Sequence, residues 1–157
     1  LFPAILSSVA VVSAHPNILK TLVALIACFA FLLRIRVADE KRDFLHDNVH
    51  HADRPIQTGI ISKKELERFE IIAIFIILGI AGFSGPYASI LAIFMLLYSY
   101  VAGKDFFKAE KIRKYFFFYN GINLVQMLLM QLFVYAIFAG FFTFNKLILF
   151  HFAFTAS

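Results

Sequence analysis

The stretch RVADEKRDFLHDNVHHADRPIQTGIIS, residues 36–62, is the one dense polar island in a chain otherwise built of apolar runs. Within it Asp39, Asp43 and Asp47 recur every four residues, a spacing that puts three carboxylates on one face of a helix. Acids stacked on one face repel each other, so the arrangement is costly unless cations sit among them. Lys41 and Arg42 lie between them, and a solvated, salt-paired face is one reading. The other is a metal. Hard carboxylate oxygens suit Mg²⁺, which shares its remaining positions with phosphate oxygens. Arg54 follows closely, able to grip phosphate by two parallel hydrogen bonds. On that reading the island is a metal–diphosphate site at a membrane.

The surroundings supply the membrane. The chain is 61% hydrophobic and only 16% charged, with 21 Phe and no Trp, whereas a soluble domain is about half apolar and about a quarter charged. Several apolar runs reach the roughly 17 to 25 residues that cross a bilayer. The expectation is an all-α, polytopic transmembrane helix bundle, one membrane domain over 1–157. Cys28 is the single cysteine, so no intrachain disulfide forms. The sequence opens and closes inside apolar runs, which we read as cut membrane helices, so the chain is expected to be a fragment.

Pattern and breakers divide it into about five helices plus an incomplete sixth. The first covers about 1–14 and ends at His15-Pro16, because proline disfavours helix in the residue before it. The second covers about 18–36, and the polar island follows. Ser62 and Glu65 have capping-box spacing and start a third helix, which runs to the Gly82–Pro86 turn. A fourth covers about 87–102. A basic loop, 103–114, leads into a fifth at about 115–143, and Asn145-Lys146 turns the chain into the sixth.

Segments 34–70 and 103–114 together hold 13 of the 15 Lys and Arg and all ten acids. With two crossings between them they share a side, and the excess of positive charge makes that side cytoplasmic. The basic excess is read as orientation in the bilayer; no nucleic-acid partner is expected.

The order Asp39-Glu40-x-x-Asp43-x-x-x-Asp47, then Arg54-Pro55-Ile56-x-x-Gly59-x-Ile61-Ser62, resembles the first aspartate motif of the UbiA superfamily of intramembrane prenyltransferases. That motif reads N-D-x-x-D-x-x-x-D followed by R-P-[LIV]-x-x-G-x-[IV]-S. The chain departs from it with Asp39 for Asn and Glu40 for Asp, like a DExxD variant of the superfamily. Tyr98 and Lys104 match a Tyr and a Lys that the family spaces six apart, and Lys104-Asp105-Phe106-Phe107 matches the variant's next loop. The resemblance covers nearly the whole chain and the first half of the family's fold.

It implies Mg²⁺-dependent transfer of a prenyl group from a polyprenyl diphosphate to an acceptor within the bilayer. Asp39, Asp43 and Asp47 would hold Mg²⁺. Arg54, Lys104 and Tyr98 would bind the diphosphate, with Lys104 and Tyr98 assisting its departure. Departure from an allylic carbon needs metal and cationic donors to neutralise the growing charge. A dry bundle with aromatic walls protects the allylic cation. The acceptor, the prenyl length and the oligomeric state stay open. The family's second aspartate motif is not in these residues, so the chain alone is expected to be catalytically inert.

Two other readings compete. A non-catalytic membrane subunit would keep the bundle without the chemistry. His46-x-x-x-His50-His51 resembles one histidine box of membrane di-iron oxygenases, but those enzymes need more histidines than the five here. The D-G-x-x-A-R core of CDP-alcohol phosphatidyltransferases is missing. Asn120, Asn123, Gln126 and Gln131 inside the fifth helix mark either a cavity or hydrogen bonds that join helices.

Overall fold

In the computed structural model the described residues are 17–104 and 116–139, and they form four helices with no strand among them. These are α1 (Ile18–His50), α2 (Lys63–Ser84), α3 (Pro86–Gly103) and α4 (Phe116–Ala139). The expected first helix, most of the basic loop and the incomplete sixth helix lie outside the described residues.

The start of α1 is set by Asn17, whose side chain accepts from the Lys20 backbone N–H at 3.1 Å. Its length corrects the sequence reading. Instead of stopping near residue 36, one helix of 33 residues runs through the first half of the polar island. No Gly or Pro interrupts it before Pro55, and ion pairs one turn apart, Arg36–Glu40 at 2.5 Å and Arg42–Asp39 at 2.8 Å, replace apolar packing as its support. The start of α2 falls where the capping box put it. Ser62 Oγ accepts from Glu65 N at 3.3 Å, and Ser62 N donates to Glu65 Oε2 at 2.7 Å. α2 ends at Gly85, whose φ of 114° is left-handed backbone that a side chain would strain, and Pro86 opens α3 at once.

Cross-helix hydrogen bonds give an up-down-up-down order. Glu70 near the start of α2 meets Lys41 late in α1. Ser99 late in α3 meets Arg34 in α1, and Tyr98 in α3 meets Ile122 early in α4. At the far end Lys20 Nζ donates to the Phe138 carbonyl at 3.0 Å, closing α4 against α1. The segment 34–70 and the Gly103-Lys104 end of α3 therefore share one end of the bundle.

Small side chains bring the backbones close: Ala24, Ala27 and Cys28 of α1, Ala73 and Ala81 of α2, and Ala88 and Ala92 of α3 are all buried. Phe31, Ile77, Met95 and Phe133 fill the core between them. Outward stand Phe29, Phe75, Phe83 and Phe94, each more than half exposed, a surface that suits lipid.

Three helical stretches are long and apolar enough to cross a membrane: Ile18–Phe44, Pro86–Gly103 and Asn120–Ala139. α2 is not among them. Glu65, Glu67, Arg68 and Glu70 occupy its first turns, and the apolar remainder, 71–84, rises only about 21 Å against a hydrocarbon core of about 30 Å. Glu70 is nevertheless tied to Lys41 at 2.6 Å, which lowers the cost of drawing the charged end of α2 towards the apolar layer.

Candidate functional site

The polar end of the bundle gathers the residues singled out in the sequence. Asp39, Asp43 and Asp47 do lie along one helix, α1, and each is met by an arginine. Arg42 reaches Asp39 at 2.8 Å and Asp43 at 3.4 Å, from between them on the same helix. Asp47 is buried and accepts a hydrogen bond from Arg54 Nη1, with His46 Nδ1 at 3.7 Å from its other oxygen. Burying Asp47 is tolerable because a guanidinium neutralises it.

The loop after α1 puts Arg54 there. Thr58 N donates to the Arg54 carbonyl at 2.9 Å and Ile61 N to that of Pro55 at 3.1 Å, so residues 54–61 form a compact turn folded back on α1. Gly59 has a φ of 77°, the left-handed conformation for which glycine is suited. The R-P-x-x-x-G spacing is thus a backbone device that returns Arg54 to a carboxylate seven residues upstream.

α3 brings the second cationic group. A Cβ placed on Gly103 would lie 3.3 Å from Ala38 Cβ, so α3 touches α1 beside Asp39. Four residues earlier on both helices, Arg34 Nη1 donates to Ser99 Oγ at 2.5 Å. These two contacts hold α1 and α3 parallel and set Lys104 at the level of the first aspartate. Its ammonium is exposed, 5.7 Å from the centre of the Tyr100 ring. Tyr98 is turned the other way: its hydroxyl donates to the Ile122 carbonyl of α4 at 3.2 Å. The structure therefore gathers Asp39, Asp43, Asp47, Arg54 and Lys104 at one end and directs the Tyr98 hydroxyl towards a helix interface.

Sequence reasoning passed over Arg34. It is buried within the span, bonded to Ser99, with Nε lacking a hydrogen-bond partner and 4.0 Å from Glu70 Oε1. Its signal was present, since a charged residue inside an apolar helix is rarely idle, but its place next to Arg36 made it read as the flank of the span. Gln57 was also given no role, and both polar atoms of its side chain are buried without a hydrogen-bond partner.

On α4, Gln126 Nε2 donates to Asn123 Oδ1 at 3.3 Å, and Gln126 and Gln131 are buried. The His46 and His50 rings lie 4.5 Å apart and His51 is 6.3 Å from His46. Among the described residues no three His, Cys, Asp or Glu side chains are grouped so as to hold a metal ion. Glu65, at the capping box, has its carboxyl held below the usual carboxylate range by hydrogen bonds from the Ser62 backbone and hydroxyl.

Compared with family models, with curated proteins and with solved structures, the chain matches none.

Proposed function

We propose that the polar end of this bundle binds a prenyl diphosphate with Mg²⁺ and transfers its prenyl group to an acceptor held in the membrane, as the resemblance to UbiA prenyltransferases implies. The observation that carries the reading is the convergence of the aspartate face of α1, Arg54 from the folded-back loop and Lys104 from the end of α3. Asp39 and Asp43 are each more than a third exposed, and their hard oxygens fit Mg²⁺. Asp47 would join them when Arg54 moves from its carboxylate to the diphosphate. Bound there, Mg²⁺ would neutralise charge on the departing diphosphate. Arg54 and Lys104 would add hydrogen bonds to the same oxygens, and Tyr98 would contribute only by releasing the Ile122 carbonyl. The apolar bundle would keep water from the allylic cation. Residues 34–70 and 103–114 would face the cytoplasm.

A second reading draws on the arginines. Since Arg42 and Arg54 meet all three aspartates, the face is also internally neutralised, as a non-catalytic membrane subunit would have it. The test is Mg²⁺-dependent diphosphate release from geranylgeranyl diphosphate by the intact protein in nanodiscs with candidate acceptors. Prenyl-transfer chemistry predicts release in wild type and none in Asp43→Ala. Equal release from both proteins would overturn the assignment.

A further inference from the structure

A separate cleft opens on a different side of α1 from the aspartate face. Its volume is about 360 Å³, and Glu40, Lys41, Arg42, Phe44, Lys63 and Glu67 line it over a floor completed by Ile56 and Leu66. Phe44 and Leu66 come from α1 and α2, and Ile56 from the turn between them, so three segments converge to form it. The stretch of α1 that is long and apolar enough to cross a membrane closes at Phe44, after the charged run Asp39–Asp43, so the opening would lie just outside the hydrocarbon, among headgroups.

The charges in the cleft are unequally occupied. Glu40 is turned to Arg36 at 2.5 Å, Lys41 to Glu70 at 2.6 Å, and Arg42 to Asp39 at 2.8 Å. Lys63 and Glu67 have no acid or base partner among the described residues. The Lys63 ammonium rests 3.5 Å from the centre of the Phe44 ring. Lys63 and Glu67 are one turn apart on the same face of α2, yet they form no ion pair. One cation and one anion thus stand open side by side above an apolar floor, at the depth of lipid headgroups.

We propose that this cleft seats the phosphoethanolamine headgroup of a membrane lipid. Lys63 holds the phosphate, Glu67 accepts a hydrogen bond from the primary ammonium, and the upper acyl chain lies on Phe44, Ile56 and Leu66. A phosphocholine headgroup has no N–H to give Glu67, and an anionic glycerol headgroup leaves that carboxylate unanswered. The proposal does not rest on the prenyl-transfer reading: Lys63 and Glu67 belong to α2, and the one residue shared with the aspartate face is Arg42, which lines the cleft while paired with Asp39 and Asp43.

The test is lipid retention by the intact protein, released from nanodiscs of equal phosphatidylethanolamine, phosphatidylcholine and phosphatidylglycerol and read by native mass spectrometry. One charge-assisted hydrogen bond is enough to favour phosphatidylethanolamine by about fivefold over the other two. Glu67→Gln should remove that preference, Lys63→Gln should lower retention of all three lipids because each carries the phosphate, and Lys63→Arg should keep both retention and preference. Free phosphoethanolamine should not displace the lipid, since it lacks the chain that covers the floor. Equal retention in wild type, a preference for phosphatidylglycerol, a preference surviving in Glu67→Gln, undiminished retention in Lys63→Gln, or displacement by the free headgroup would each overturn the proposal.

Discussion

The two ends of this bundle are built on opposite principles. At the end formed by Ser84, Gly85 and Pro86, the chain turns on one glycine, and the cross-helix polar contacts go to backbone carbonyls, Lys20 Nζ to that of Phe138 and Ser89 Oγ to that of Ala81. At the other end α1 continues beyond its apolar stretch, and Arg34, Lys41, Glu70, Ser99, Asp47 and Arg54 tie three helices and a loop together. Apolar packing of small residues needs only close backbones. Charges need partners at defined positions, and an end built of such partners can exchange them for a ligand. On the proposed reading, chemistry belongs to the α1–α2 loop end and scaffold to the other.

The largest effect should come from breaking the chemistry while sparing the scaffold. Asp43→Ala should lower Mg²⁺-dependent prenyl transfer by about a hundredfold or more, because it removes a carboxylate that would hold the Mg²⁺ neutralising charge on the departing diphosphate. The variant should keep its helix content by circular dichroism. Loss of both would move Asp43 from chemistry to scaffold.

Next comes the buried charge. Glu70→Ala leaves the buried Arg34 and the exposed Lys41 without their acid, which should cost about 2 kcal/mol, less than for a fully buried pair because Glu70 is partly exposed and 4.0 Å from Arg34 Nε. Arg34→Met should cost distinctly less, since it removes the buried charge along with its demand for a partner. Unfolding in detergent, followed by circular dichroism, reads both. If Arg34→Met proved the more damaging, the polar tie would matter beyond satisfying its own charge.

The approach of α3 to α1 can be loosened separately. Gly103→Val adds volume where even a Cβ would sit 3.3 Å from Ala38, an overpacking expected to cost about 1–3 kcal/mol. Ala38→Gly in the same chain should return part of it. Absence of rescue would place Lys104 away from Asp39.

The smallest effect concerns the cap of α2. Ser62→Ala should cost about 1 kcal/mol. Because the folded-state Glu65 carboxyl titrates below its unfolded value, its contribution is present above the unfolded value and fades as pH falls through the lowered folded one. A pH series of thermal unfolding should therefore converge for wild type and Ser62→Ala only in acid.

What the sequence made legible followed the range of each signal. The start of α2 was readable because a capping box is complete within four residues, and its end because Gly85-Pro86 is a local breaker. The burial of Ala73, Ile77 and Ala81 on one side of α2 follows helical spacing. The full length of α1 was missed because hydropathy drops after Val37 while the helix continues on ion pairs. Arg54 was singled out for phosphate, and only the fold shows that its turn returns it to Asp47. The Gly103–Ala38 contact and the Arg34–Ser99 bond join residues 65 apart, which no local pattern encodes.

The central claim, one Mg²⁺–diphosphate site made by the α1 aspartates with Arg54 and Lys104, is tested most directly by binding rather than turnover. Isothermal titration of the intact protein with a non-hydrolysable geranylgeranyl diphosphate analogue should give binding with Mg²⁺ and loss of it in EDTA. Asp43→Ala should abolish the Mg²⁺ dependence, and Arg54→Ala and Lys104→Ala should each weaken binding about tenfold or more, the loss of one charge-assisted contact. Binding that is indifferent to Mg²⁺ and unchanged in all three variants would contradict the account.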